Sequence, residues 1–267
     1  MAALSPLMSV MTKAAEKASR SLLRDFGEVE NLQVSQKGPG DFVSAADKRA
    51  EEIIHRELTK SYPDHSFLME ESGAIKGSET DHIWIIDPLD GTTNFLHGLP
   101  HWCISIAYQL KGELTAGLVF DPVKDEMFIA EKGQGAFNSR RQRLRVSGRR
   151  QLDMSLTLVG EPQRALKDSG SKFAAEYKAV QDTGIAMRRY GAAALDLAYV
   201  AAGRCDAFWE RNLKPWDVAA GILLVKEAGG YVGDIDSTTA KPLETGNVLA
   251  ANNFLFDDLR KILQAVK

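Results

Sequence analysis

The chain opens on a helical stripe. Leu4, Leu7, Met8, Met11, Ala14, Ala15, Ala18 and Leu22 recur at i, i+3, i+4 and i+7, which predicts an amphipathic helix. A turn is expected at Lys37-Gly38-Pro39-Gly40. A second helix then opens at Ser44-Ala45-Ala46-Asp47 and faces inward through Ala50, Ile53, Ile54 and Leu58. Short strands are expected over Ser66–Met69 and His82–Asp87. Beyond Pro100 the period changes to two: Trp102, Ile104, Ile106, Tyr108 and Leu110 alternate with smaller residues. Turns then lead to apolar segments at Leu114–Phe120, Met127–Ala130 and Ala136–Asn138, an antiparallel meander. After about residue 155 strands and helices alternate. Helices are expected near Ala165–Val180, Ala193–Ala202, Trp216–Glu227 and Leu255–Val266, and strands at Ala186–Arg189, Ala207–Glu210, Tyr231–Gly233 and Val248–Ala250. This order implies a mixed α/β protein with helices stacked against sheets. One domain over 1–267 is expected, with a helix-and-meander lobe (about 1–150) and an alternating α/β lobe (about 151–267).

Composition narrows the class. The net charge of −3 favours neither a nucleic acid nor an anionic membrane as the dominant partner. The longest strictly apolar run, Val218 to Val225, is too short to cross a bilayer. Lys13, Glu16 and Lys17 interrupt the N-terminal apolar stripe, so it does not form a secretory h-region, and a cytoplasmic location is expected. Cys103 and Cys205 then read as reduced core thiols.

The densest chemistry lies in Asp87-Pro88-Leu89-Asp90-Gly91-Thr92-Thr93-Asn94. A buried strand delivers Asp87, Pro88 is expected to force a turn, and Asp90 can swing back beside Asp87 with the Leu89 carbonyl facing the same point. Two carboxylates and a carbonyl form an all-oxygen site suited to Mg²⁺, Mn²⁺ or Ca²⁺. Gly91, Thr92 and Thr93 follow with N–H groups and hydroxyls able to hold a phosphate. A cation site beside an anion nest is what phosphoryl chemistry requires. Taken alone, Asp-Pro-x-Asp-Gly is equally a favoured turn. Glu70 and Glu71, at the end of another buried strand, shift the balance, because adjacent acids there call for a cation. Asp217, by contrast, reads first as a helix cap, and Asp47 as the acidic member of a helix start.

Together these segments resemble the inositol monophosphatase family: Asp87 to Phe95, Glu70-Glu71-Ser72, Trp216 to Gly221, Glu227 to Gly230, Gly40 to Asp47, and Gly191 to Asp196. The resemblance spans nearly the whole chain. It implies a layered α-β-α-β-α sandwich, usually dimeric, in a lithium-sensitive, Mg²⁺-dependent phosphatase superfamily. It also implies two or three Mg²⁺ ions held by Glu70, Asp87, the Leu89 carbonyl, Asp90 and Asp217. Thr92 and Asp47 match a pair that positions and deprotonates the attacking water, with Glu70 beside them. Gly91 and Thr92 would bind phosphate oxygens, while Glu210, Asp217 and Gly191-Ala192-Ala193 would face the substrate alcohol. Ala192 stands where relatives often have Ser or Thr, and Met69 where many have Gly. The substrate so implied is inositol 1-phosphate or a related small polyol phosphate. Fructose-bisphosphatase and phosphoadenosine-phosphate phosphatase relatives share the metal motifs.

Other features remain outside that reading. The five histidines read as surface or packing residues. Arg140 to Arg150 places six arginines in eleven residues. This is a charged hairpin edge or, alternatively, a contact for RNA or transcription proteins that would make the chain an interaction protein on the same fold.

Overall fold

The computed structural model describes residues 4–28, 34–38, 41–160 and 170–266, with backbone alone at 34–38, 41–44, 170 and 171. Helix α1 (Pro6–Phe26) starts on Ser5, whose hydroxyl accepts the Met8 N–H at 3.0 Å, and α2 spans Ala45–Ser61. Their apolar stripes pack together on one face of a seven-stranded sheet. That sheet contains β3 (His65–Met69), β4 (Gly73–Ile75), β5 (Glu79–Asp90), β6 (Cys103–Leu110), β7 (Glu113–Asp121), β8 (Glu126–Glu131) and β9 (Gly135–Asn138), in the order β4-β3-β5-β6-β7-β8-β9. Strands β3 and β5 are parallel; every other neighbouring pair is antiparallel.

The period of two decides which residue enters which layer. Trp84, Ile86, Ile104 and Ile106 join α1 and α2 in one core. Ile85, Cys103, Ala107 and Val119 point to the other face, into a second core. That core is filled by α5 (Ala193–Ala201) and α6 (Pro215–Glu227), which are apolar nearly all round because sheets cover them on both sides. A Cβ on Gly221 would come within 2.5 Å of Leu197, so glycine sets how closely these two helices pack. The second sheet is ordered β11-β10-β12-β14-β13: β11 (Ala186–Arg188), β10 (Leu156–Val159), β12 (Ala207–Glu210), β14 (Val248–Ala251) and β13 (Tyr231–Asp234). Its outer face carries a third core with α4 (Gly170–Gln181) and α8 (Phe256–Ala265). The layers therefore run α-β-α-β-α.

Several elements depart from the sequence reading. A hairpin of β1 (Val34–Gly38) and β2 (Asp41–Ser44), the short strand β4 and the single-turn helix α7 (Pro242–Thr245) were not expected. Each is too short to carry a periodicity. Pro39 and Gly40 of the expected turn, and 165–169 of the expected helix, lie outside the described residues. Cys103 and Cys205 are free and buried, and burial raises the Cys103 thiol well above its ordinary range and Cys205 to about 12, so both are inert core thiols. Among the described residues no helix is long and apolar enough to cross a membrane.

Candidate active site

Pro88 does not end β5. The strand continues to Asp90, but its register against β6 slips: Asp87 pairs with Ser105 and Asp90 with Cys103, three steps against two. One extra residue is a β-bulge. In a regular strand residues 87 and 90 would point to opposite faces; the bulge turns both carboxylates the same way. Proline is tolerated because a bulge releases a ladder N–H. The Leu89 N–H donates to Asp87 Oδ1 at 2.9 Å, and the Leu89 carbonyl accepts the Thr92 hydroxyl at 3.0 Å.

Gly91 follows in the left-handed region, at φ 93°, and opens α3 (Thr92–Leu96). A Cβ there would stand 3.0 Å from the His101 carbonyl and 3.2 Å from Ala192, so the site is closed around a glycine. Thr92 Oγ1 also lies 3.4 Å from Asp47 Oδ2, at the far end of its hydrogen-bonding range. The expected Thr92–Asp47 pair is thus brought together across 45 residues. Asn94 Nδ2 donates to the carbonyls of His101 (2.8 Å) and Tyr190 (2.7 Å), tying α3 to the Gly191 segment.

Glu70 enters from the β3–β4 turn, its N–H donating to Ile86 O at 3.2 Å. The turn is held by a residue the sequence reading missed. Glu51 of α2 is 2 % exposed, and its carboxylate accepts the N–H groups of Glu71 (2.8 Å) and Ser72 (2.9 Å) and the Ser72 hydroxyl. Its signal was available: it follows Asp47 by one helical turn, on the buried face. Asp217 sits in the first turn of α6 and accepts the Lys214 N–H at 2.7 Å, so the expected cap is present. It also belongs to the acid cluster, because its charge acts on Asp87 and Glu210 and that of Asp90 acts on it. Ser105 of β6 donates to Trp216 O at 3.2 Å and anchors that helix end.

The residues expected to face the substrate alcohol lie on the side of the second sheet. Ala192 and Ala193 are buried at the start of α5, and the Ala194 N–H donates to Asp90 Oδ2 at 2.7 Å. Gly191 adopts φ 83°. Glu210 ends β12, and a Cβ on Gly160 would fall 1.7 Å from its Oε2. Gly160, which the sequence reading also missed, leaves the space Glu210 occupies. Asp196, one turn into α5, meets His101 Nε2 at 3.1 Å; burial holds that imidazole down at about 4 and that carboxyl well above its ordinary range.

The electrostatics of the cluster follow from burial and crowding. Burial, then Glu70, Asp90, Asp217 and Asp47, raise Asp87 well above the carboxylate range. Burial lifts Asp90 to about 7 against the Ala194 N–H, with Asp196 and Glu70 adding repulsion. Asp217 rises to about 7 by burial and then by Asp90. Glu210 is raised by burial, then by Asp217, Asp196 and Asp90, with Arg189 opposing. Burial and mutual repulsion both raise a carboxyl, and a cation placed among such acids lowers it. Their donors are all oxygen, and Mg²⁺ fits that set. A cavity of about 510 Å³ between α1 and β8–β9, lined by Leu4, Met8, Ile129, Glu131 and Phe137, shares none of these residues.

The profile of the inositol monophosphatase family matches residues 3–267. The chain belongs to the inositol monophosphatase family. Within that family it is 51 % identical over 263 residues to an inositol-1-monophosphatase of Mesorhizobium japonicum, covering 98 % of this chain and 97 % of the relative. It is 43 % identical over 263 residues to the Nus factor SuhB of Pseudomonas aeruginosa, covering 97 % and 96 %. Among solved structures, the extragenic suppressor protein suhB of Bartonella henselae superimposes with a TM-score of 0.93 at 49 % identity, covering 97 % of this chain and 99 % of that one. The inositol monophosphatase family fold accounts for the five layers described above.

Proposed function

We propose that this chain is a Mg²⁺-dependent phosphomonoesterase acting on inositol 1-phosphate or a related small polyol phosphate. The observation that carries the reading is the bulge that turns Asp87 and Asp90 to one side, in an acid cluster with Glu70 and Asp217 and beside the Thr92–Asp47 pair. Glu70, Asp87, the Leu89 carbonyl, Asp90 and Asp217 would hold two or three Mg²⁺ ions. Bound there, Mg²⁺ supplies an activated water and offsets charge on the leaving oxygen.

The chain's own residues do the rest. Thr92, bonded to the Leu89 carbonyl and near Asp47, orients the water and passes its proton toward Asp47. Gly91 and Thr92 present N–H groups to the phosphate at the opening of α3. Glu210 accepts from a substrate hydroxyl, and Gly191-Ala192-Ala193 contribute backbone and small side chains, so the ring approaches closely. Attack is in line at phosphorus with no covalent enzyme intermediate. Phosphate release from a substrate panel, with chelator and then with added Mg²⁺, tests this. Mg²⁺-restored turnover of inositol 1-phosphate, with appreciable turnover of glycerol 2-phosphate, is expected. A strong preference for fructose bisphosphate or a nucleotide bisphosphate would move the chain to another branch of the superfamily.

A second reading, contact with RNA or transcription proteins, is favoured by the Nus factor name of relatives together with the exposed arginines around β9. The run is only partly free for such a role. Arg149 pairs with Asp206 at 3.0 Å, Arg150 lies 4.3 Å over the Phe254 ring, and Arg143 packs on Gly135, leaving Arg140, Arg141 and Arg145 as the better placed cations. Salt-dependent RNA retention by the purified protein, lost on replacing Arg140 and Arg141, would support it. Dimerisation is part of the proposal and is checked by sedimentation.

A further inference from the structure

The strands that carry Glu70 and Asp87 at one end gather a different donor set at the other. His65 begins β3, Glu79 begins β5 and His82 follows three residues later. One donor atom of each, two imidazole nitrogens and a carboxylate oxygen, lie within 4.8 Å of one another. His65 Nε2 is 3.5 Å and His82 Nε2 is 3.9 Å from Glu79 Oε2. From His82 to Asp87 is five residues of strand, roughly 16 Å, so this set is separate from the acid cluster.

The position of each donor has a local cause. A register irregularity after His65 sets Glu79 beside it. The loop before Glu79 is clamped down: Glu79 N–H donates to Asp64 O at 2.8 Å, Gly77 N–H to Ser66 Oγ at 3.1 Å, and Ser78 Oγ to Asp64 Oδ1 at 2.6 Å. A Cβ on Gly77 would lie 2.2 Å from Asp64 O, so only glycine lets the loop close this far. The rings of His65 and His82 stack face to face at 4.6 Å with 27° between planes, which keeps the two imidazoles side by side at the strand starts.

Two observations point to a ligand. His65 is 7 % exposed, yet its Nδ1 has no hydrogen-bond partner among the described residues and its Nε2 reaches only the long contact to Glu79. A buried imidazole so poorly satisfied is uncommon. His82 is the reverse: Nδ1 shares a hydrogen bond with the Tyr108 hydroxyl, which fixes the ring with Nε2 on the side of Glu79. Second partners of this kind accompany imidazoles that bind metals. Burial and the neighbouring His82 hold the His65 pKa below its ordinary value, against the opposing pull of Glu79 and Asp64.

We infer that His65, Glu79 and His82 form a second metal site, selective for a borderline divalent transition ion, Zn²⁺ foremost, over Mg²⁺. Two imidazoles and one carboxylate are a zinc donor set with a fourth position left for water, and the exposed Glu79 edge supplies the entry path. Mg²⁺ prefers oxygen donors and retains its waters. Tetrahedral zinc at about 2.0–2.1 Å needs donors about 3.3 Å apart, so the three groups must draw in by less than about 1.5 Å. A bound ion would fasten together the starts of β3 and β5.

The test is calorimetric titration of the full chain with Zn²⁺ in a large excess of Mg²⁺, repeated on Glu79→Gln, His82→Ala and Asp90→Asn. One Zn²⁺ site is expected in the parent and in Asp90→Asn, weakened at least about tenfold in Glu79→Gln and His82→Ala. Zn²⁺ should raise Tm in the first pair and not in the second. Unchanged zinc affinity in Glu79→Gln would overturn the assignment, as would zinc binding lost only in Asp90→Asn, which would place the ion in the acid cluster. Glu79 is exposed and Gln preserves its shape, so this variant decides the matter even where His82→Ala does not fold.

Discussion

Replacing Asp90 by Asn removes one negative charge from the acid cluster while retaining an oxygen that accepts the Ala194 N–H. In the parent, burial raises this carboxyl from an ordinary 3.8 to about 7. A carboxyl whose folded value is raised costs stability once it must ionise. The native state is fully stable below the ordinary value, loses stability as pH climbs from about 4 to about 7, and carries the whole penalty above that. The shift corresponds to about 4 kcal/mol. Asp90 raises Asp217, itself displaced to about 7, so the two share the penalty and one neutralisation recovers about half of it, about 2 kcal/mol. For a chain of this size that is a Tm increase of about 4–8 °C. In chelator at pH 8, Asp90→Asn should therefore melt higher than the parent, and the gap should close toward pH 4. Mg²⁺ should reverse the order at pH 8 by stabilising the parent, which keeps its ligand. Turnover of inositol 1-phosphate should fall at least about a hundredfold. Differential scanning calorimetry across pH, with and without Mg²⁺, reads all of this. A variant that melts no higher than the parent in chelator at pH 8, or gains as much from Mg²⁺ as the parent does, would refute the argument.

Three further outcomes follow from particular contacts. Thr92→Ala should lower kcat with little change in KM, because its bonds to Leu89 O and Asp47 matter when the water attacks; steady-state kinetics showing a rise in KM alone would make Thr92 a phosphate contact only. Glu51→Ala should loosen the turn that presents Glu70, raising the Mg²⁺ concentration for half-maximal activity by about tenfold or more and costing about 2–3 kcal/mol in a denaturant melt, since two backbone N–H groups lose their partner. Glu210→Ala should raise KM for inositol 1-phosphate more than for glycerol 2-phosphate, and Gly160→Ala should do the same by displacing the carboxylate; equal effects on both substrates would remove Glu210 from the alcohol side.

Much of the layering was legible because α1 has one wet and one dry face, which writes a period of 3.6 into it, and because β6 sends large side chains into one core and smaller ones into the other, which writes a period of 2. The family resemblance likewise rests on contiguous runs, Asp87 to Phe95 and Trp216 to Gly221, that a linear reading sees whole. Three features required tertiary structure. The bulge that unites Asp87 and Asp90 depends on pairing with β6; from sequence Pro88 reads as a turn, because proline favours both and only the partner strand distinguishes them. Glu51 and Gly160 act on residues twenty and fifty positions away, through a turn and through unoccupied space; the helical spacing of Glu51 after Asp47 marks its buried face but not its partners, and Gly160 leaves no local pattern. His65, Glu79 and His82 lie in the first residues of two different strands, and their convergence comes from the parallel pairing of β3 with β5 and the clamp at Gly77. Local periodicity records which face of an element is buried. Which distant side chains share that burial is set by strand register and helix approach, and these exist only in the folded chain.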